Sequence, residues 1–296
     1  MLGVVVIWIV SVVIFVATRI GPDPVYMIAP QGADEAELQA IRKRFGLDQP
    51  LPVQYLTFIG RALCGDFGES VYYGLPVSKI VVSRLPASLM LVGAAKFISL
   101  CIGLAAGVLA ARKRGRWFDN LIRWFSVLGL SMPNFWIAML LILIFSVELR
   151  ILPTGGYGGV PHLLMPAFSL GWYFSAGYTR ITYSSLLQVL NSEYIKFARI
   201  KGLPERLVIG KHALKNALIP VVTLAGMNLV TMISGAVAVE TVFAWPGIGL
   251  LMYHAATYRD FNIVQAVVLF ISALMVLINL LVDILYAYID PRIRYQ

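Results

Sequence analysis

Apolar residues along this chain come in long runs broken by short polar stretches, with little alternation of period two. Six runs stand out, at about 2–18, 85–111, 121–147, 162–180, 217–243 and 263–288. A helix needs roughly 20 mostly apolar residues to cross a bilayer, so the pattern predicts six transmembrane helices and an all-α membrane protein. The fourth run, within MPAFSLGWYFSAGYTR, is the shortest and holds two glycines. It is kept because its omission would put the later loops on the wrong sides. All six runs far exceed the roughly ten residues of a membrane β-strand, which argues against a barrel. The first run lacks the positive n-region and small-residue cleavage site of a signal peptide, so it is read as a span.

The polar stretches are organised too. ADEAELQAIRKRF, after the first span, is acidic at its start and basic at its end, as the helix macrodipole favours. Gly46 follows at the C′ position. A second short helix is expected over about 52–63, behind Pro50 and Pro52, and GDFGES reads as a turn. Pro76 then opens an amphipathic lead-in to the second span. The division is residues 1–84, a first span plus extracytoplasmic segment, and residues 85–296, a five-helix core.

Composition agrees. Of 296 residues 59% are hydrophobic and 13% charged, with mean hydropathy +0.80; soluble domains carry about 25% charged residues. The net charge of +9 is not spread evenly. Loop 112–123 carries +4, segment 180–215 carries +5 and the tail +1, whereas 18–84, 148–161 and 244–262 each cancel. Lys and Arg near span ends mark the cytoplasmic side. Both termini are therefore expected in the cytoplasm, and the basic charge needs no nucleic-acid partner. Cys64 and Cys101 fall in an outer loop and a span, so no disulfide is expected. His162, His212 and His254 are dispersed, and no metal site is proposed.

The longest basic stretch is EYIKFARIKGLPERLVIGKHALKNALIP, from Glu193 to Pro220, with six Lys/Arg against two Glu. Leu190, Tyr194 and Phe197 share one helix face. Gly202 breaks that helix and Pro204 suits the start of another. Leu203, Leu207, Gly210, Leu214 and Leu218 make the next apolar stripe, with Lys211 and Lys215 opposite. The pattern predicts a helical hairpin that protrudes from the membrane. It is open to three readings: an amphipathic helix on anionic lipid, a solvated loop, or a docking element that uses i, i+4 and i+7 anchors.

The stretch resembles the EAA loop of permease subunits in ABC importers, in the form found in the peptide/nickel-type branch. Glu193-Tyr194, Ala198-Arg199, Lys201-Gly202-Leu203, Glu205-Arg206, His212-Ala213-Leu214 and Asn216–Pro220 stand in register with that branch. FGLDQPLPVQY (45–55), GDFGES (65–70), RLPASL (84–89), LGLSMPNFW (128–136), LPTGGYGG (152–159) and VETVFAWPGIG (239–249) extend the likeness over nearly the whole chain. The departure is the N-terminus. Relatives usually begin with basic residues and MLGVVV has none, so a truncated or differently assigned start is expected.

The resemblance implies a six-helix, type I (methionine-permease-like) importer fold in a bacterial inner membrane. It implies pairing with a second homologous permease, two cytoplasmic ATPase subunits and an extracytoplasmic substrate-binding protein. This subunit would move di- or oligopeptides by alternating access; nickel chelates or glutathione-like solutes are the alternative cargo. No cofactor is implied on this chain, since ATP and Mg would sit on the ATPases. The coupling loop, about 185–216, would offer Glu193, Ala198, Arg199, Lys201, Gly202, Leu203, Glu205 and Arg206 to an ATPase. For Gly202 an ordinary helix C-cap is the competing reading. Independently of the resemblance, the chain lacks the G-x(4)-G-K-[ST] loop that cradles nucleotide phosphates. Energy must come from elsewhere, from an ATPase or from an ion gradient used by a secondary carrier.

Ionisable groups in or near spans are functional suspects. Lys96 is read as snorkelling, Glu240 as interfacial and Asp283 as paired with a basic loop residue. Met132 and Asn134 flank Pro133, which interrupts the third span and frees backbone groups to line a cavity. With Asn228 and Met232 they form a candidate translocation path. GLAAG (103–107) is a GxxxG motif, suited to packing either within the chain or against a second subunit.

Overall fold

A computed structural model describes residues 2–20, 25, 32, 34–44 and 47–289. Every named element in it is helical. Twelve helices are used here: α1 Leu2–Ile20, α2 Glu35–Arg44, α3 Leu51–Leu63, α4 Val77–Arg112, α5 Trp117–Ser131, α6 Asn134–Leu141, α7 Val160–Leu190, α8 Glu193–Ile200, α9 Glu205–Leu207, α10 Leu214–Val242, α11 Ile248–Thr257 and α12 Phe261–Ile289. Helix α6 continues into a π-helical turn, Ile142–Glu148, and a second π-helical turn, Val208–Ala213, joins α9 to α10.

Four described helices are long and apolar enough to cross a membrane: Leu2–Arg19, Val77–Arg112, Glu205–Val242 and Phe261–Val282. The third apolar run is two helices bent by more than 40°, and counts as a fifth span if taken as one. The break falls where Pro133 predicts it. Pro133 has no N–H and sits extended (ψ 143°) ahead of α6. The weak fourth run lies inside α7, whose 31 residues extend about 46 Å at 1.5 Å per residue. Its hydropathy is low because it is a central helix, with Ser169, Ser175, Thr179, Thr182 and Ser185 buried against neighbours. Hydropathy reports exposure to lipid, and this helix turns its polar groups inward.

The chain forms two compact units, Met1–Pro86 with Gly247–Leu277, and Ala87–Pro246 with Ile278–Gln296. In the first, α1 is fixed by Gln265 donating to Thr18 (2.6 Å) and by Ser11 meeting Tyr55 (2.8 Å). Asp34 and Glu37 form a reciprocal capping box at the start of α2. The predicted Gly46 cap lies outside the described residues. The GDFGES turn docks on the start of α12, where buried Asp260 accepts from the Ser70 hydroxyl (2.5 Å) and the Tyr72 N–H (3.2 Å). Val77, Ile80 and Val81 pack on Ile248, Leu251, Ile263 and Val267 to close this unit's core.

The second unit is built around α7. Helix α4 approaches it through GLAAG: a Cβ at Gly107 would stand 2.5 Å from Thr182 Cβ and 2.8 Å from the Thr179 carbonyl oxygen. The motif is thus occupied by packing inside this chain. The same unit joins two motifs far apart in sequence. The Gly156 N–H donates to the Phe243 carbonyl (2.7 Å), and Tyr157 meets Trp245 edge-on at 4.9 Å. Trp245 is fully buried and donates through Nε1 to the Ala87 carbonyl (2.9 Å).

Candidate functional site

The basic stretch folds as a hairpin with one buried face and one bare face. Helix α8 ends in a Schellman motif: Gly202 N–H donates to Arg199 C=O (2.9 Å) and Leu203 N–H to Ala198 C=O (3.3 Å). Gly202 takes φ +75°, a left-handed conformation suited to glycine, and nothing lies within 4 Å of where its Cβ would be. The C-cap reading of Gly202 is therefore correct. A C-cap is also what brings the turn to an open tip. Pro204 is the N-cap, one residue earlier than a first-turn position, and α9 starts at Glu205.

The buried face differs from the predicted stripe. Ile195 is fully buried, packed with Leu186, Val208, Ala213, Ala217 and Ala111, with Ala198 and Leu203 against them. Leu190 belongs to α7, while Tyr194 and Phe197 are 43% and 64% exposed. The π-helical turn accounts for the shift beyond the tip. It inserts a residue into the register, so Val208, Ile209 and Ala213 point inward while Leu207 is exposed. The bare face therefore carries Phe197, Ile200 and Leu207 beside the ion pairs. Arg199 grips Glu205 with two hydrogen bonds, Nη2 to Oε1 at 2.8 Å and Nε to Oε2 at 3.3 Å. That hydrogen bond holds the Arg199 guanidinium above its ordinary value. Lys196 pairs with Glu193 at 2.7 Å. Lys201 and Arg206 are exposed at the turn. The predicted coupling residues are thus gathered around one tip, with Ala198 and Leu203 underneath it.

Inside the membrane region the groups fall differently. Asn134, half-buried, is held near α10, with its Nδ2 3.4 Å from a Cβ built on Gly235. Met132 caps α5 at the break, and Met232 is fully buried in the core beside Leu170 and Ala236. Asn228 stands apart, donating to the Tyr178 hydroxyl at 3.3 Å. Lys96 does not snorkel. It is 11 residues from one end of the 85–111 run and 15 from the other, about 16–22 Å along the helix. Its ammonium donates to the Tyr178 hydroxyl (2.6 Å) and to the Ala225 carbonyl. Glu240, two residues from the end of α10, is buried and accepts from the Ser88 hydroxyl at 2.6 Å. The Asp283 side chain lies outside those described. The sequence signal for these contacts was the ionisable residue within an apolar run, which marks a site without naming its partner. Among the described residues no group of three His, Cys, Asp or Glu is arranged to hold a metal.

Residues 103–295 match the family described as binding-protein-dependent transport system inner membrane component, and residues 1–92 match its N-terminal companion. The oligopeptide transport system permease protein AppB of Bacillus subtilis is 39% identical, over 97% of this chain and 94% of its own. The glutathione transport system permease protein GsiC of Escherichia coli K12 is 41% identical, over 98% and 95%. A structure of the MetNI methionine ABC transporter, in inward-facing conformations, matches with TM-score 0.58 at 20% identity, covering 71% of this chain and 96% of that one. The last likeness is one of fold, and it matches an all-helical membrane protein. The chain belongs to the binding-protein-dependent transport system inner membrane components: it is the non-catalytic, multi-pass permease subunit of an ABC importer, whose ATPase is separate.

Proposed function

We propose that this permease imports short peptides or the peptide-like tripeptide glutathione, and that the α8–α9 hairpin is the element an ATPase subunit grips. The observation that carries the coupling reading is the tip itself. Phe197 and Ile200 are 64% and 79% exposed beside an open Gly202, while Ile195 anchors the opposite face. Apolar side chains on a charged, water-facing turn are suited to a groove on a partner. The cargo reading is supported by the relatives, one an oligopeptide permease and one a glutathione permease.

The membrane arrangement follows. The excess of Lys and Arg on loops 112–123 and 180–215 supports a hairpin and both termini in the cytoplasm. A second, homologous permease pairs with this one, and ATP-driven closure of two ATPases moves the pair between inward- and outward-facing states. The experiment is ATP-dependent uptake of labelled dipeptide and of labelled glutathione in vesicles holding the full complex, with wild type and Gly202→Asp. Gly202→Asp is expected to lose ATPase binding and uptake while still inserting. Normal coupling by the variant would make the hairpin a lipid-facing element. ATP hydrolysis with neither cargo imported would overturn the cargo reading alone.

A further inference from the structure

We propose that Lys96 is a carboxylate-binding residue on the substrate path, taking the free carboxylate of the peptide or glutathione as it crosses. The proposal rests on the cargo reading above and adds the chemical group that is recognised.

Three observations converge. The first is place: Lys96 lies deep in the 85–111 run, too far from either end for its stem to reach water along the helix. The second is pairing. An ammonium has three donors and no acceptor. Two are taken, by the Tyr178 hydroxyl at 2.6 Å and the Ala225 carbonyl, and both partners are neutral. Among the described residues no carboxylate pairs with it. An intramembrane cation normally faces a cavity or pairs with an opposite charge or a backbone carbonyl. Lys96 has the carbonyl and no counter-charge among the described residues, so a ligand that brings its own negative charge completes this site.

The third is preorganisation. Tyr178 is fully buried on α7, and its hydroxyl oxygen accepts from both Lys96 and Asn228. Ala225 and Asn228 lie on α10, so two helices besides its own fix the ammonium. Lys96 itself is only half-buried, so the side chain stays partly accessible to a ligand. A carboxylate there forms a hydrogen-bonded ion pair with the ammonium; a carboxamide of the same shape supplies the acceptor oxygen without the negative charge. Tyr178 and Asn228 are positioning residues in this scheme, and Lys96 makes the contact.

The test compares uptake of a free-acid dipeptide with its C-terminal amide, using the full complex with its binding protein in proteoliposomes. The readout is the acid-to-amide ratio in each variant, because the binding protein's own preference is common to all and cancels. Wild type is expected to favour the acid. Lys96→Met should shrink that ratio at least tenfold, and Lys96→Arg should keep it. If Lys96→Met fails to assemble, Lys96→Gln, which is about one atom shorter but keeps hydrogen-bond donors without the charge, carries the same comparison. An unchanged ratio in the neutral variant overturns the Lys96 proposal and leaves the cargo reading standing. Wild type that hydrolyses ATP but imports neither peptide nor glutathione overturns both.

Discussion

The two faces of the hairpin separate stability from docking, and a pair of substitutions reads them apart. Ile195 is fully buried in the cluster under the tip, and Phe197 is 64% exposed two residues on. Truncation of Ile195 to alanine removes buried methylenes and leaves a cavity, which costs about 2–5 kcal/mol in well-packed cores. Phe197→Ala removes little that the folded chain itself uses, so the cost to stability is within about 0.5 kcal/mol. Docking reverses the order. A phenylalanine offers 150–250 Å² (about 200 Å² as a midpoint), so 64% exposure leaves about 130 Å² still to be covered. At about 25 cal/mol per Å² this is an upper limit of roughly 3 kcal/mol, and a central interface aromatic commonly carries about 2 kcal/mol or more. Phe197→Ala should therefore weaken ATPase binding by roughly 30-fold, where about 1.4 kcal/mol is tenfold, with the melting temperature unchanged. Ile195→Ala should lower the melting temperature and loosen binding through the tip. The assays are thermal unfolding of the purified permease in detergent and titration with the ATPase subunit. If Phe197→Ala binds the ATPase as wild type does, the exposed face is not the docking face.

Other consequences are quicker to state. Gly107→Leu should destabilise the purified subunit by about 1–3 kcal/mol, as overpacking does, because its Cβ already meets Thr182 at 2.5 Å; unchanged thermal unfolding would show that α4 and α7 are not so close. The Arg199–Glu205 pair is 42% and 53% exposed, and exposed pairs contribute about 1 kcal/mol or less. Arg199→Ala should change stability by less than that, with the difference shrinking further in high salt. A large, salt-independent loss of stability would mean that the pair is buried by something else.

What the sequence revealed divides along physical lines. Long apolar runs and the sidedness of Lys and Arg are properties of single segments, and they gave the helices and the basic hairpin. The Schellman turn was also local: a glycine after a helix and a proline two residues later specify it without tertiary help. The buried face of α8 is not legible locally because Ile195 competes with Tyr194 and Phe197 for burial, and only contacts from Leu186, Val208 and Ala217 decide between them. Helix α7 looked weak because hydropathy cannot tell a polar group facing water from one facing another helix. Lys96 and Glu240 stood out as charges in apolar surroundings. Their partners Tyr178 and Ser88 are 82 and 152 residues away, a separation that periodicity does not reach.

The hairpin is also joined to the membrane region in a way that bears on force transfer. From Glu205 to Val242 the chain is one helix of 38 residues, so the second half of the hairpin and the following span are a single rod. The irregular part is the π-helical turn Val208–Ala213, where Leu214 N–H reaches back to Ile209 C=O. A π-turn holds one residue more than the α-helix it interrupts. Deletion of Gly210, which is exposed and has nothing within 4 Å of its Cβ position, should let this turn revert to α-helix. The π-turn absorbs that one residue, so the helix on either side keeps its phase and the tip its alignment with the span. Deleting Lys211 as well, which is also exposed, removes a residue that no bulge can return and turns the tip about 100°, one residue at 3.6 per turn. The rod survives both changes and the alignment only the first. We expect both variants to insert and to keep their melting temperatures within a few degrees, the single deletion to keep substrate-stimulated ATP hydrolysis and the double deletion to lose it. If the double deletion couples normally, the tip and the span move independently, and the 38-residue helix is not the lever between them.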